Sequence, residues 1–200
     1  MISEASKRII LAGLFLAGMP GLALAAGGGS SSPKPSTPAA TIPEKSMTPE
    51  QKEAARKQSA IENYDAGYAE IDKAADAIDE AVALEAAGDE KSLEGAAKAR
   101  KTAGKHAKKA IEKFQKATEL NPEYHEAWNM LGYSYRKTGQ VGKAFEAYAT
   151  CLKLQPDYEP AHEYLGEAHL VAGNVDKARE ELEWLRARQS TEAAALELAI

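Results

Sequence analysis

The chain has 200 residues, of which 28% are charged and 6% are aromatic, and its formal net charge is −5 at pH 7. This mild acidity gives no general attraction to nucleic acid, and the length allows one folded domain with appendages. The only cysteine, Cys151, excludes an internal disulfide. The composition favours a soluble helical protein, and we interpret Cys151 as a small buried core residue.

The first 25 residues have the features of a secretory signal peptide. Lys7 and Arg8 precede an apolar run over residues 9–26, and the Ala-Leu-Ala sequence at 23–25 has small side chains at the spacing that a signal peptidase requires. We expect cleavage after Ala25 or Ala26 and export, with the periplasm as destination. The alternative is an uncleaved membrane anchor, because the apolar run is close to the shortest length that spans a bilayer.

Residues 26–47 are rich in glycine, serine and proline, a composition that cannot form a packed core. We interpret this segment as a disordered linker. Folded structure is predicted to begin at Thr48, which is followed by Pro49 at the first helical position and Gln51 at the third. This order is typical of a capping box at a helix start.

Two long helices are predicted between residues 48 and 121. In the first, apolar side chains recur at spacings of three and four residues, which indicates a heptad seam. The seam consists of Ile61, Tyr64, Tyr68, Ile71, Ala75, Ile78 and Val82. The first helix should end near residues 87–89, and the second should begin near Ser92. The second helix has a weaker seam of Leu93, Ala97, Ala107, Ile111, Phe114 and Ala117. Together they predict a long antiparallel hairpin.

The two hairpin helices carry opposite charge. Residues 62–90 contain ten acidic residues and one base, whereas residues 98–116 contain eight bases and one acid. One interpretation is that the basic helix binds anionic lipid, a cell-wall polymer or nucleic acid. The other is that the two charged faces attract each other and fix the pairing of the helices. Predicted export argues against nucleic acid as a partner.

The second half of the chain repeats itself at a spacing of 34 residues. Residues 122–155 and 156–189 match in step at Pro122/Pro156, Tyr124/Tyr158, Ala127/Ala161, Leu131/Leu165, Gly132/Gly166, Gly139/Gly173, Val141/Val175, Lys143/Lys177 and Ala144/Ala178. A partial match continues backwards to Ala110. Such a period is typical of a stacked helix-turn-helix solenoid, in which each unit buries its apolar face against its neighbours.

The first complete repeat resembles the tetratricopeptide repeat. The residues that carry the resemblance are Trp128, Leu131, Gly132, Tyr135, Ala144, Tyr148 and Pro156. The second repeat keeps Leu165, Gly166, Gly173 and Ala178, but it has His162 at the Trp position, His169 at the Tyr position and Leu182 at the second aromatic position. The resemblance implies an all-α protein of the exported bacterial type. We expect a solenoid of about two and a half repeats, preceded by the hairpin at 48–121 and closed by a capping helix at 190–200.

The resemblance also implies a module that binds a protein or peptide. In this family the first helix of each repeat lines a concave face, and the positions there that packing does not use are Glu126, Asn129, Tyr133, Arg136, Lys137, Glu163, Glu167, Leu170 and Val171. We predict a mixed groove, with Arg136 and Lys137 on one side, Glu163 and Glu167 on the other, and apolar anchor positions between them. An ordinary solvated helix face is the alternative.

No catalytic or cofactor motif is recognisable in the sequence. His125-Glu126 and His162-Glu163 resemble the start of a zinc-protease motif, but no histidine follows at the required fourth position. His162 and His169 share a helix face, which would allow a two-ligand metal site, although both hold packing positions and core histidines are the favoured interpretation. We expect no enzyme activity, no cofactor and no metal.

Two functions follow from these patterns. The first is an exported scaffold that binds a segment of a partner protein in the repeat groove. The second is a structural factor of the cell envelope, in which the basic helix at 98–116 makes weak contact with the membrane or with wall polymer.

Overall fold

The computed structural model describes residues 47–200, and seven α-helices without strands account for the regular structure of this range. They are α1 (Pro49–Ala87), α2 (Glu90–Leu120), α3 (His125–Lys137), α4 (Val141–Leu154), α5 (Glu159–Val171), α6 (Val175–Ala187) and α7 (Glu192–Ala199). The all-α prediction is confirmed. The predicted signal peptide and all but the last residue of the predicted linker lie outside the described residues. In the part that is described, no helix combines the length and apolarity needed to cross a membrane.

The ends of the hairpin helices follow local chemistry. The Thr48 hydroxyl accepts from the Gln51 amide at 3.2 Å, and the Gln51 side chain accepts from the Thr48 amide at 2.8 Å, so the predicted capping box is present. Gly88 terminates α1 with a φ of 74°, a left-handed conformation that glycine adopts without steric cost. Asp89, rather than Ser92, caps α2, because its carboxylate accepts from the Ser92 amide at 3.1 Å. The predicted start was therefore too late.

Small residues close the hairpin, which corrects the predicted heptad seam. The buried residues that face each other are Ala60, Gly67, Ala77 and Ala81 on α1, and Ala96, Ala99, Ala103 and Ala110 on α2. Ile61 and Val82 were predicted to be in the seam, but they are 42% and 54% exposed, and Leu93 is also exposed. Alanine and glycine faces allow the helix axes to approach closely, so the larger side chains stand at the margin of the interface.

The repeats form a stack of helix pairs. α3 packs on α4, α5 packs on α6, and α7 packs against both α5 and α6 at the end of the array. The turns inside the pairs contain Gly139 and Gly173, each with a φ of 76°. The main core comprises Ala110, Ile111, Phe114, Met130, Leu131, Tyr135, Ala144, Ala147, Tyr148 and Ala168. Cys151 is fully buried as predicted, and burial raises the pKa of its thiol to about 12.

The incomplete first repeat is completed by α1. In the strong repeat, a Cβ on Gly132 would lie 2.5 Å from the Tyr148 ring, so the glycine admits the aromatic side chain of the paired helix. Gly67 of α1 makes the same arrangement with Phe114 of α2, where a Cβ would lie 2.6 Å from the ring. The first half of this repeat was not visible in the sequence because the hairpin extension separates its two helices and breaks the 34-residue period.

Candidate partner-binding groove

The predicted groove residues lie on the first helices of the repeats, but three of them are buried. Asn129 is 2% exposed, Arg136 is 8% exposed and Glu163 is 6% exposed. These positions were predicted to be unused by packing, and that part of the prediction is wrong. Glu126, Tyr133 and Glu167 keep partial exposure, and Lys137 is exposed. The groove therefore has a buried polar floor and more accessible margins.

Arg136 joins the two sides that were predicted to be separate. Its guanidinium forms an ion pair with Glu167, and it lies 5.5 Å from the Tyr133 ring centroid and 5.6 Å from the Tyr164 ring centroid. Planar guanidinium groups are stabilised by this combination of a carboxylate and aromatic faces. Arg136 is thus fixed inside the array, and the predicted separation of cations from anions does not occur.

Two carboxyl groups lie buried beside this cluster. Burial raises the pKa of Glu163 to about 8, and the neighbouring charges of Glu167 and Glu192 raise it further than those of Arg136 and Lys137 lower it. Glu192, at the start of α7, is also buried, and burial together with Glu159 raises the pKa of its carboxyl to about 7. Neither carboxyl group takes part in an ion pair within residues 47–200.

Asn129 has an unpaired polar atom. Its side-chain oxygen is buried and has no hydrogen-bond partner in the described range. Buried polar groups are normally paired, so such an atom is an exception that requires a reason. Asn129 lies 34 residues before Glu163 and therefore holds the same repeat position on the adjacent first helix.

Tyrosines form the apolar part of the groove. Tyr64 of α1 packs 5.0 Å from the Tyr124 ring centroid, Tyr133 packs 5.3 Å from Tyr164, and Tyr158 packs 4.8 Å from the His125 ring. Sequence reasoning identified only Tyr133 as a groove residue. The matched repeat pair Tyr124/Tyr158 was a signal that could have indicated two more.

Leu170 is not an anchor of the groove. It packs against the second apolar cluster, which consists of Leu182, Leu185, Ala193 and Leu196. The prediction placed it beside Tyr133, but the folding of α7 onto α5 gives it a core role instead. Val171 is exposed at the end of α5.

Comparison with known families identifies the array. Two tetratricopeptide repeat models match the chain, one over residues 113–146 and the other over residues 136–199. The chain is a tetratricopeptide repeat (TPR) protein. The first match begins inside α2, in the half of the first repeat that the sequence pattern had detected. A search of curated proteins found no match. TPR arrays are typically non-catalytic modules for protein–protein interaction.

The two histidines of the second TPR do not form a shared site. The His162 ring nitrogens lie 2.7 Å from a Glu181 carboxylate oxygen and 3.0 Å from the Pro156 carbonyl oxygen, and the ring stacks on Trp184 with centroids 3.4 Å apart. His169 instead packs against Phe145. In residues 47–200 no group of three or more His, Cys, Asp or Glu side chains is arranged to hold a metal ion.

The basic face of α2 is mostly unpaired. Arg100 forms a two-bond ion pair with Glu85, with both distances at 2.7 Å, and His106 lies 2.7 Å from Glu70. Six other bases are exposed and form no ion pair with any residue between 47 and 200: Lys98, Lys101, Lys105, Lys108, Lys109 and Lys113. Attraction between the two hairpin helices therefore accounts for only a small part of the basic stripe.

Proposed function

We propose that this TPR protein is a scaffold that binds a segment of a partner protein along the concave face formed by α1, α3 and α5. The observation that carries the proposal is the buried, unpaired side-chain oxygen of Asn129 in the floor of a groove with tyrosine walls. Backbone or side-chain N–H groups of a bound segment would satisfy such an atom, and the tyrosine rings offer contact area at a low cost in conformational entropy.

A charge reversal in the groove tests this proposal. Glu126→Lys changes a partly exposed groove position, and Glu183→Lys makes the same change on the exposed face of α6. Partners are identified by proximity labelling of the full-length protein in its own cells. We expect Glu126→Lys to lose labelled partners that Glu183→Lys retains, with equal helical circular dichroism. Identical partner sets for both variants would contradict the proposal.

We also propose that the mature protein is exported to the periplasm. Support comes from the charged residues Lys7 and Arg8, the apolar run that follows them and the Ala-Leu-Ala sequence at 23–25. N-terminal sequencing of fractionated protein should give a chain that begins at Ala26 or Gly27. Recovery of intact Met1 in the membrane pellet would instead indicate an uncleaved anchor.

The unpaired lysines of α2 favour a second candidate function, a structural role in contact with an anionic envelope surface. Lysine clusters gain binding energy from anionic lipid or polymer while their charge is unpaired. The triple variant Lys101→Gln, Lys105→Gln, Lys108→Gln removes the centre of the stripe. The control triple, Lys52→Gln, Lys153→Gln, Lys177→Gln, removes the same charge from scattered exposed positions.

Co-sedimentation separates this candidate from the first. We expect wild type and the control triple to bind vesicles with 30% phosphatidylglycerol at low salt, and the stripe variant to bind several-fold less. Equal binding by all three proteins, or binding only to neutral vesicles, would exclude the stripe as the working surface.

A further inference from the structure

We infer that the segment bound in the groove presents a cationic side chain, arginine or lysine, which the Glu163 and Glu192 carboxylates and the Asn129 side-chain oxygen receive. This inference rests on the proposed function, because it names the chemistry of the ligand in the same groove. Asn129 and Glu163 are at the same position of adjacent first helices, and the start of α7 brings Glu192 within electrostatic range of Glu163.

The groove has an excess of acceptors. Five acids lie along it: Glu126, Glu159, Glu163, Glu167 and Glu192. Glu167 is neutralised by Arg136, which leaves four acids against the single ammonium of Lys137, with the His125 ring beside Glu126 at 3.1 Å. The unpaired Asn129 oxygen adds a neutral acceptor to this set. A ligand that brings N–H donors and positive charge matches this surface, whereas an acidic ligand would be repelled.

Arg136 demonstrates how these helices hold a guanidinium. It combines one carboxylate, Glu167, with the faces of two tyrosines, Tyr133 and Tyr164. About one helical turn towards the start of α5, the chain offers the same chemistry without its cation: Glu163 as carboxylate, Glu192 as a second, and the Tyr158 ring within electrostatic range of Glu192. A guanidinium from a ligand would complete this second set.

The protonation of the empty groove agrees with this arrangement. Burial raises the pKa of Glu163 to about 8, so the carboxyl holds a proton near neutral pH when no cation is present. The charged groups that face it are Glu167 on its own helix, Glu192 on α7, and Arg136 and Lys137 on α3. A bound cation would lower the pKa of Glu163 and release the proton, so binding should be accompanied by proton release.

A random peptide library tests the inference without knowledge of the natural partner. Phage-displayed dodecapeptides are selected on the immobilised full-length protein, on its Glu163→Gln, Glu192→Gln variant, and on a Glu180→Gln, Glu183→Gln control. The two variants lose the same charge, but the control changes the exposed face of α6. We expect peptides selected on wild type and control to be enriched at least about threefold in arginine and lysine, and this enrichment to disappear on the groove variant.

A second measurement does not depend on the folding of any variant. The most enriched peptide and its twin with citrulline at each arginine are titrated calorimetrically against the wild-type protein in two buffers that differ in ionisation enthalpy. We expect the citrulline twin to bind at least tenfold more weakly and only the arginine peptide to release protons.

The outcomes separate this inference from the proposed function. Selected peptides that lose binding on the groove variant but contain no excess of cations would overturn the inference and leave the groove as a binding site. The absence of any peptide that distinguishes the groove variant from the control would overturn both.

Discussion

Phe114 lies against the bare backbone of Gly67, in the same way that Tyr148 lies against Gly132. A Cβ at Gly67 would come within 2.6 Å of the Phe114 ring, closer than real Cβ contacts allow. This contact joins α1 to the second half of the first TPR. It explains how a chain with two complete sequence repeats forms three stacked helix pairs and a capping helix, since a stable TPR stack usually needs three or more repeats.

The first prediction compares two glycines in the hairpin. Gly67→Ala should lower the free energy of unfolding by about 1–3 kcal/mol, because the added methyl group displaces the buried Phe114 ring. Gly104 also lies inside a helix, but nothing is within 4 Å of its Cβ position. Gly104→Ala should raise stability by about 0.5–1 kcal/mol through helix propensity alone. Urea denaturation measures both, and equal effects would disprove the close-packing argument.

The second prediction concerns His162, which replaces the tryptophan of the family pattern. Trp128 donates from its indole nitrogen to the Pro122 carbonyl at 2.9 Å, and His162 makes the equivalent bond to Pro156 at 3.0 Å. His162→Ala should cost about 2–4 kcal/mol, because it leaves a cavity beside Trp184 and removes two hydrogen bonds. Urea unfolding followed by Trp184 fluorescence in a Trp128→Phe background measures this loss. A change below about 1 kcal/mol would show that the stack contributes little.

The third prediction is a dependence of stability on pH. The pKa of Glu163 is about 8 in the folded protein and close to 4.5 in the unfolded chain. Between these values the folded state binds more protons, so stability is fully present below pH 4.5 and falls as pH rises through 8. We expect a loss on the order of 1–3 kcal/mol between pH 5 and pH 8. Glu163→Gln should flatten this profile, whereas the exposed control Glu183→Gln should keep the wild-type slope.

The sequence predicted the helical solenoid because periodicity reports packing directly. Residues such as Gly132 and Ala144 recur at 34 positions because each repeat meets its neighbour in the same way. The hairpin was predicted in outline, but its seam was misplaced at Ile61 and Val82. Heptad rules favour large apolar side chains, whereas this interface is formed by alanines whose burial the pattern does not distinguish from helix propensity.

The groove was predicted less completely than the fold. Family positions correctly brought Tyr133, Arg136 and Glu167 together, but they could not show that Arg136 and Glu167 form an ion pair. Glu192 and the core role of Leu170 were missed for one reason. Both depend on α7 folding back onto α5, a long-range contact without any counterpart in the repeat pattern.

The last prediction divides the hairpin into two parts. Its distal end has a separate small cluster of Ala81, Ala96 and Ala99, with Leu84 packed against it, whereas Tyr64, Tyr68 and Ile71 pack on the main core. Replacing residues 76–101 with a short glycine-rich turn should therefore leave the melting temperature of the array within a few degrees of wild type. Removing residues 49–87 should instead uncover Phe114 and Ile111 and destabilise the array by several kcal/mol, on the scale of a lost core face. Differential scanning calorimetry of both deletions measures this contrast. Equal melting temperatures for the two would show that α1 is not part of the first TPR.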